Sequence, residues 1–224
     1  MGRCKRMSGD NSILLNRVFT RNTLREIVED NYSDVYATAI RRYVADSSGK
    51  DNRQLISEIY TVLKKEYRNE YFYKNTILNK LLLGVHKPTT TTALTEIAIG
   101  KSKADFVLIN GRAIVYEIKT ELDNLDRLES QIGNYFKAFT RVSILASEDH
   151  VDALQKRLAN SPVGICILTK KGTIKEKKEP QEYTDNLDND TMFRILRKHE
   201  YEGIIVKQFG ALPDVSQFEY YRVC

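Results

Sequence analysis

The sequence has no tryptophan, only three cysteines, four prolines and three histidines in 224 residues. Each scarcity removes a class of protein. Cys4, Cys166 and Cys224 lie far apart, so neither a CxxC zinc pair nor a disulfide framework is expected. Cys166 stands in the apolar run VGICIL, the setting of a core residue rather than a reactive thiol. His86, His150 and His199 are scattered and form no ligand set. No stretch approaches the roughly 20 apolar residues of a membrane helix, so no membrane partner is expected. The start, MGRCKRMSGDNS, is basic but has no apolar segment. A secretory signal is therefore not expected, and cytoplasmic residence is.

What is present suits one folded domain with an extension. Hydrophobic residues make up 42% and charged residues 29%, enough to bury a core and stay soluble. The formal charge of +5 is uneven. Residues 1–90 hold sixteen Lys and Arg against ten Asp and Glu, whereas the remainder is nearly balanced. A basic portion beside a neutral one is compatible with a polyanionic partner; it is equally the ordinary surface of a soluble chain.

Periodicity divides the chain at about residue 90. Residues 1–22 read as loosely ordered. Helical spacing then runs from Thr23 to about Val44, again through Leu55, Ile59, Val62 and Leu63, and from Asn69 to Leu83. Gly84, Pro88 and a run of threonines end the helices. Strand patterns follow at Leu94–Ile99, Asp105–Ile109, Ala113–Thr120, Val142–Ala146 and Val163–Thr169, with a short sixth at Ile174–Lys178. Helices are expected over Asn124–Phe139, over His150–Leu158 and from Met192. This order predicts an α/β sandwich around a mixed sheet, with residues 1–90 as a basic helical extension and 91–224 as the core.

The chemistry concentrates in one hairpin. Glu117 and Lys119 are two apart on a strand and so share a face. They interrupt the apolar run VYEIK, where charges are costly to bury unless paired or bound to metal. Hard cations take carboxylate oxygens, which Asp105 and Glu117 offer, with the backbone carbonyl of Ile118 as a further ligand. Such an ion would polarise a phosphate and activate water. Lys119 would orient that water and offset charge in the transition state. Register is a condition. A two-residue loop at Asn110-Gly111 would set Asp105 opposite Tyr116 and separate the acids. A three-residue loop or a bulge would put both on one face.

The order of Asp105, a hairpin, Glu117-Ile118-Lys119, then Gln131 and Tyr135 as Q-x-x-x-Y resembles the PD-(D/E)XK nuclease superfamily, in its RecB-like branch. The stretch EIKTELDNLDRLESQIGNYFKAF is similar to an uncharacterised bacterial and phage subfamily, in which Asp123, Arg127 and Leu128 correspond as well. Ala104 stands where the superfamily often has proline. The resemblance implies a restriction-endonuclease-like α/β/α sandwich with a central mixed sheet, and a Mg²⁺-dependent deoxyribonuclease in which Mn²⁺ substitutes. It further implies DNA as partner, and a homodimer is common there. It implies catalytic roles for Asp105, Glu117, Lys119, Gln131 and Tyr135, and metal ligation by Asp105, Glu117, Ile118 and Glu96. A silent nuclease-fold protein that binds nucleic acid or a protein is the alternative.

Each assignment has a plainer counterpart. Glu96 can be a surface strand residue, and Gln131 and Tyr135 can mark a core margin. Glu58 can be a paired helix-surface acid rather than the helical acid that many superfamily members bring to the site. Asp123 is expected to N-cap the following helix. Arg127 suits either a phosphate or the acids around Glu129. Tyr67, Tyr71, Phe72 and Tyr73 could stack on bases, but at helical spacing they read first as packing.

Overall fold

The computed structural model describes residues 9–82, 84, 87, 89–216, 219, 220 and 223. Cys4, His86, Pro88 and Cys224 lie outside the described residues.

Five helices come first: α1 (Gly9–Val18), α2 (Arg21–Val28), α3 (Asp34–Tyr43), α4 (Asn52–Glu66) and α5 (Glu70–Ile77). One correction arises here. The segment read as loosely ordered contains α1, because Leu14, Leu15 and Val18 are buried. The helical spacing over 23–44 resolves into two helices. Asp30, at φ 56, turns the chain between them, and Ser33 opens α3 by accepting from the Tyr36 amide. Asn69 caps α5 by accepting from the Phe72 amide, and a π-helical turn, Leu78–Leu82, extends its end.

Six strands form one sheet in chain order: β1 (Thr92–Ile99), β2 (Ser102–Asn110), β3 (Arg112–Lys119), β4 (Val142–Ser147), β5 (Gly164–Leu168) and β6 (Ile174–Lys178). β2 pairs antiparallel with both β1 and β3; β3, β4 and β5 run parallel, and β6 returns antiparallel. Parallel neighbours need crossovers, and helices supply them. These are α6 (Leu128–Tyr135) and α7 (Val151–Arg157).

Each face of the sheet has its own core. Phe106, Leu108, Tyr116, Ile118, Leu145 and Leu168 pack with α1–α5. Val107, Val115, Ile144, Ala146, Ile165 and Ile167 pack with α6 and α7. The result is an α/β sandwich about a mixed sheet, with α1–α5 as the layer on one face and α6 and α7 on the other. Two more helices follow, α8 (Asn189–Ile195), which packs against β1, and α9 (Lys198–Phe209). Cys166 is a core residue, and burial pushes its thiol up to about 11. Phe72 and Tyr73 are buried and Tyr71 stacks on Phe19 at 4.9 Å, so these aromatics are packing rather than base platforms.

The hairpin register decides where the acids fall. Asn110 faces Arg112 and Phe106 faces Tyr116, so the chain reverses on Gly111 alone, at φ +66. Carried one residue further, this register sets Asp105 across from Glu117. On the other side, Thr95 faces Phe106 and Ile97 faces Ala104, which sets Glu96 across from Asp105. Three acids thus form a row over three strands. Alternation slips at this row. Phe106 packs in one core, but Ala104 packs in the opposite one, and Glu96 has a left-handed φ of 59. Positive φ outside glycine costs roughly 1–3 kcal/mol and is retained where the surroundings hold it.

Candidate metal centre

β3 delivers Glu117 and Lys119 to the α6 side of the sheet, the face that Val115 shares. Both are buried. Lys119 Nζ lies 2.9 Å from Glu117 Oε1 and 3.0 Å from Gln131 Oε1. Gln131 Nε2 donates to Glu117 Oε1, and the Tyr135 hydroxyl donates to Glu117 Oε2 and to Lys103 O. Gln131 and Tyr135 are one turn apart on α6, so one helix face addresses one carboxylate. Tyr135 is raised well above the phenol range, first by burial and then by the Glu117 charge. It therefore acts as a neutral donor.

Asp105 adjoins this group. Its Oδ2 accepts from the Ile118 amide at 2.8 Å, which ties β2 to β3 just where the ladder slips. Burial, and next the Glu117 charge, push the Asp105 carboxyl up to about 7.

A further acid arrives from the helical side. Carboxylate oxygens of Glu70, Glu96 and Asp105 all lie within 4.8 Å of one another and could hold a metal ion. Glu117 is not in that group, since its two oxygens face Lys119, Gln131 and Tyr135. Lys74 Nζ stands 2.6 Å from Glu70 Oε1 and also contacts Glu96, which Lys103 pairs as well. Two observations fit this cluster to a hard divalent cation. The donors are all oxygen. Burial first, and then the charge of Glu117, disfavour a bare carboxylate at Asp105, a cost that a bound divalent ion would relieve.

Glu70 opens α5, and its place depends on Arg68 just before it. Arg68 pairs with Glu121 at 3.2 Å and donates to Leu168 O at 3.2 Å. Its guanidinium also lies 5.2 Å from the Phe72 ring centre and 5.4 Å from that of Tyr73. One side chain therefore joins the start of α5 to the ends of β3 and β5. Removing one partner of a largely buried pair leaves the other uncompensated. Arg68→Ala is expected to cost about 2–4 kcal/mol in urea unfolding and to weaken divalent-ion binding by loosening Glu70. A cost below about 0.5 kcal/mol, the surface-pair range, would show that the pair is no such tie.

The structure relocates several expected residues. Glu58 pairs with Lys50 at 2.6 Å and is not part of the acid cluster; Glu70 is the helical acid there. Asp123 does not cap the helix. Its Oδ2 accepts from the Thr120 amide and hydroxyl, closing the turn after β3, while α6 begins later with Arg127 at its N-cap. Glu129 pairs with Arg157 rather than Arg127. His150 Nε2 meets Thr120 O at 2.9 Å, a structural contact. Ile118 lines the same cleft as Glu70, Asp105, Glu117, Lys119 and Gln131, a cavity of about 690 Å³.

Fold and site together define an α/β sandwich whose acidic cluster could hold a metal ion. The chain belongs to the family described as bacteriophage P4 protein cII, which matches residues 63–222. That match includes every residue of the cluster and begins at the end of α4. No curated protein matches the chain. Among solved structures it is similar to Pyrococcus furiosus SfsA in complex with Ca²⁺, at 15% identity and a TM-score of 0.33 over 54% of this chain. The chain covers 64% of that protein. Among the described residues no helix is long and apolar enough to cross a membrane.

Proposed function

We propose that this protein is a metal-dependent phosphodiesterase of the PD-(D/E)XK type that hydrolyses DNA. The observation that carries the reading is the buried Glu117–Lys119 pair beside an all-oxygen acid cluster in an open cleft. Structural ion pairs seldom sit buried at the wall of a cleft, and such groups are candidates for function.

Asp105, Glu70 and Glu96 would hold Mg²⁺, with Mn²⁺ as a substitute, and Glu117 and Ile118 line the same cleft. When bound, the ion supplies charge to the phosphate and lowers the pKa of water. The chain's own residues do the rest. Lys119 Nζ is held by two oxygens, Glu117 Oε1 and Gln131 Oε1, so its remaining donor direction is fixed toward the cleft. It orients the attacking water and offsets charge gathering on the phosphoryl oxygens. Water oxygen adds to phosphorus as its proton passes to solvent, the ester P–O bond breaks, and the leaving oxygen takes a proton back from solvent. Tyr135 and Gln131 keep Glu117 from rotating. Residues 91–224 form the catalytic core in this reading, and the helices before it are an extension that brings Glu70.

Lys74 favours a second reading. Its ammonium already sits against Glu70 and Glu96, as a permanent counter-charge would in a silent protein that only binds nucleic acid. Incubation with linear, nicked and supercoiled DNA and with RNA, in Mg²⁺, Mn²⁺ or EDTA, separates the two. The nuclease reading expects DNA cleavage with metal alone. Inertness toward every DNA, with metal present, would remove it.

A further inference from the structure

The cleft has two unlike walls. Acids occupy one. The other is made by the β1–β2 turn, Gly100 to Lys103, and the face of α6 that carries Arg127, Ser130, Gln131 and Asn134. The acidic wall has work to do in the reading above; on the opposite wall only Gln131 has been given a role.

That wall is built rather than loose. Asn134 Nδ2 donates to Ser102 Oγ and to Ser130 O, both at 2.9 Å, which locks the turn onto the helix. Gly100 lies at φ +57, and a Cβ there would stand 2.9 Å from Asn134 Oδ1, so the turn docks closer than a side chain would allow. The clamp fixes the backbone from which Lys101 extends. Lys101 and Arg127 are exposed, line the cleft, and have no ion pair among the described residues, whereas Lys103 is held by Glu96. Arg127 is also the N-cap of α6 and gives that end no side-chain cap. The Leu128 amide is already bonded to Leu125 O, and Glu129 stands in the first turn paired with Arg157, so the guanidinium is the main positive charge at this end. Two unneutralised cations held on a rigid wall, facing a carboxylate cluster across a cleft, suit a ligand with negative charges at intervals.

We propose that Lys101 and Arg127 grip the backbone phosphate next to the one cut, so that this wall sets the position of the DNA strand in the cleft. The inference rests on the nuclease reading and adds to it the residues that hold the substrate. A fixed phosphate contact lends position rather than sequence preference. Binding through this wall should therefore be nearly independent of sequence and steeply dependent on salt.

The experiment uses the full chain in EDTA, where no cleavage occurs, and fluorescein-labelled DNA, single-stranded and duplex, read by anisotropy across a salt series. Wild type is compared with Lys101→Ala/Arg127→Ala and with Arg127→Glu. Both positions are exposed, and thermal melts confirm folding. The double variant is expected to bind about tenfold or more weakly, with the slope of log K against log salt shallower by about 1 to 2. Its thermal shift with Mn²⁺ should equal that of wild type, since no acid is touched. Wild-type binding with an unchanged affinity and slope in both variants would overturn this proposal and leave the nuclease reading standing. A wild type that binds neither the single-stranded nor the duplex DNA would overturn both.

Discussion

Lys119→Met is expected to lower the rate of DNA cleavage by about 10²–10³ and to leave divalent-ion binding nearly unchanged. The separation follows from position. Lys119 Nζ touches Glu117 and Gln131 and none of Glu70, Glu96 or Asp105, so the acid cluster keeps its ligands when the ammonium is removed. Removing one preorganised donor from a transition-state site typically costs that factor. Methionine preserves the apolar stem that packs at the end of β3. It leaves Glu117 with Gln131 Nε2 and the Tyr135 hydroxyl as donors but without its ammonium, so a loss of stability accompanies the change and is read separately in thermal melts. Single-turnover cleavage and a Mn²⁺ titration read the two quantities separately. Equal loss of both would place Lys119 in binding, and no loss of rate would remove its role.

Divalent ions are expected to raise the melting temperature by about 5–10 °C at a hundredfold excess over Kd, with the rise growing as pH increases through neutrality. Asp105 sets the sign. Its carboxyl titrates near 7 in the folded protein against an ordinary value of 3.8. The folded state therefore holds this proton more tightly than the unfolded state does. The resulting stabilisation is fully present below 3.8 and is lost as pH rises through 7. Without metal the protein should thus weaken between these values. Below 7 a proton competes with the ion for Asp105; above it the carboxylate is free to bind. Asp105→Asn should raise the metal-free stability at pH 8 by about 1–3 kcal/mol and abolish the metal-induced rise. Asparagine can still accept from the Ile118 amide, so the strand contact survives. A melting temperature indifferent to Mg²⁺ and Mn²⁺ at pH 8 would contradict the cluster's proposed use.

The hairpin was legible because local chemistry specifies it, whereas the register that lines up its acids was open between a two-residue loop and a longer one. Asn110-Gly111 marks the reversal, and Glu117 and Lys119 stand out as charges in an apolar strand. The sixth strand, Ile174–Lys178, falls where the alternation places it. Glu70 was not legible. It follows the cap Asn69 and lies one turn before Lys74, which reads as an ordinary surface pair at a helix start. Only the tertiary packing of α5 across β3 turns that acid toward Asp105. Glu58 drew attention through its closeness to an apolar stripe, but that stripe aims Leu55, Ile59 and Leu63 at the core and leaves Glu58 to Lys50. α1 was hidden by its basic flank and short apolar patch. Burial of Leu15 and Val18 against the other helices stabilises it, which no local pattern records. The start of α6 was misplaced because Asp123 has the chemistry of an N-cap and spends it on Thr120 instead.

The most direct measurement is the appearance of cleaved, end-labelled DNA from three parallel incubations: wild type in Mg²⁺, wild type in EDTA, and Glu117→Gln in Mg²⁺. A hydrolytic centre built on the acid row predicts products in the first alone, with the variant slower by about 10² or more. Products in equal yield from all three, or from none, would contradict it.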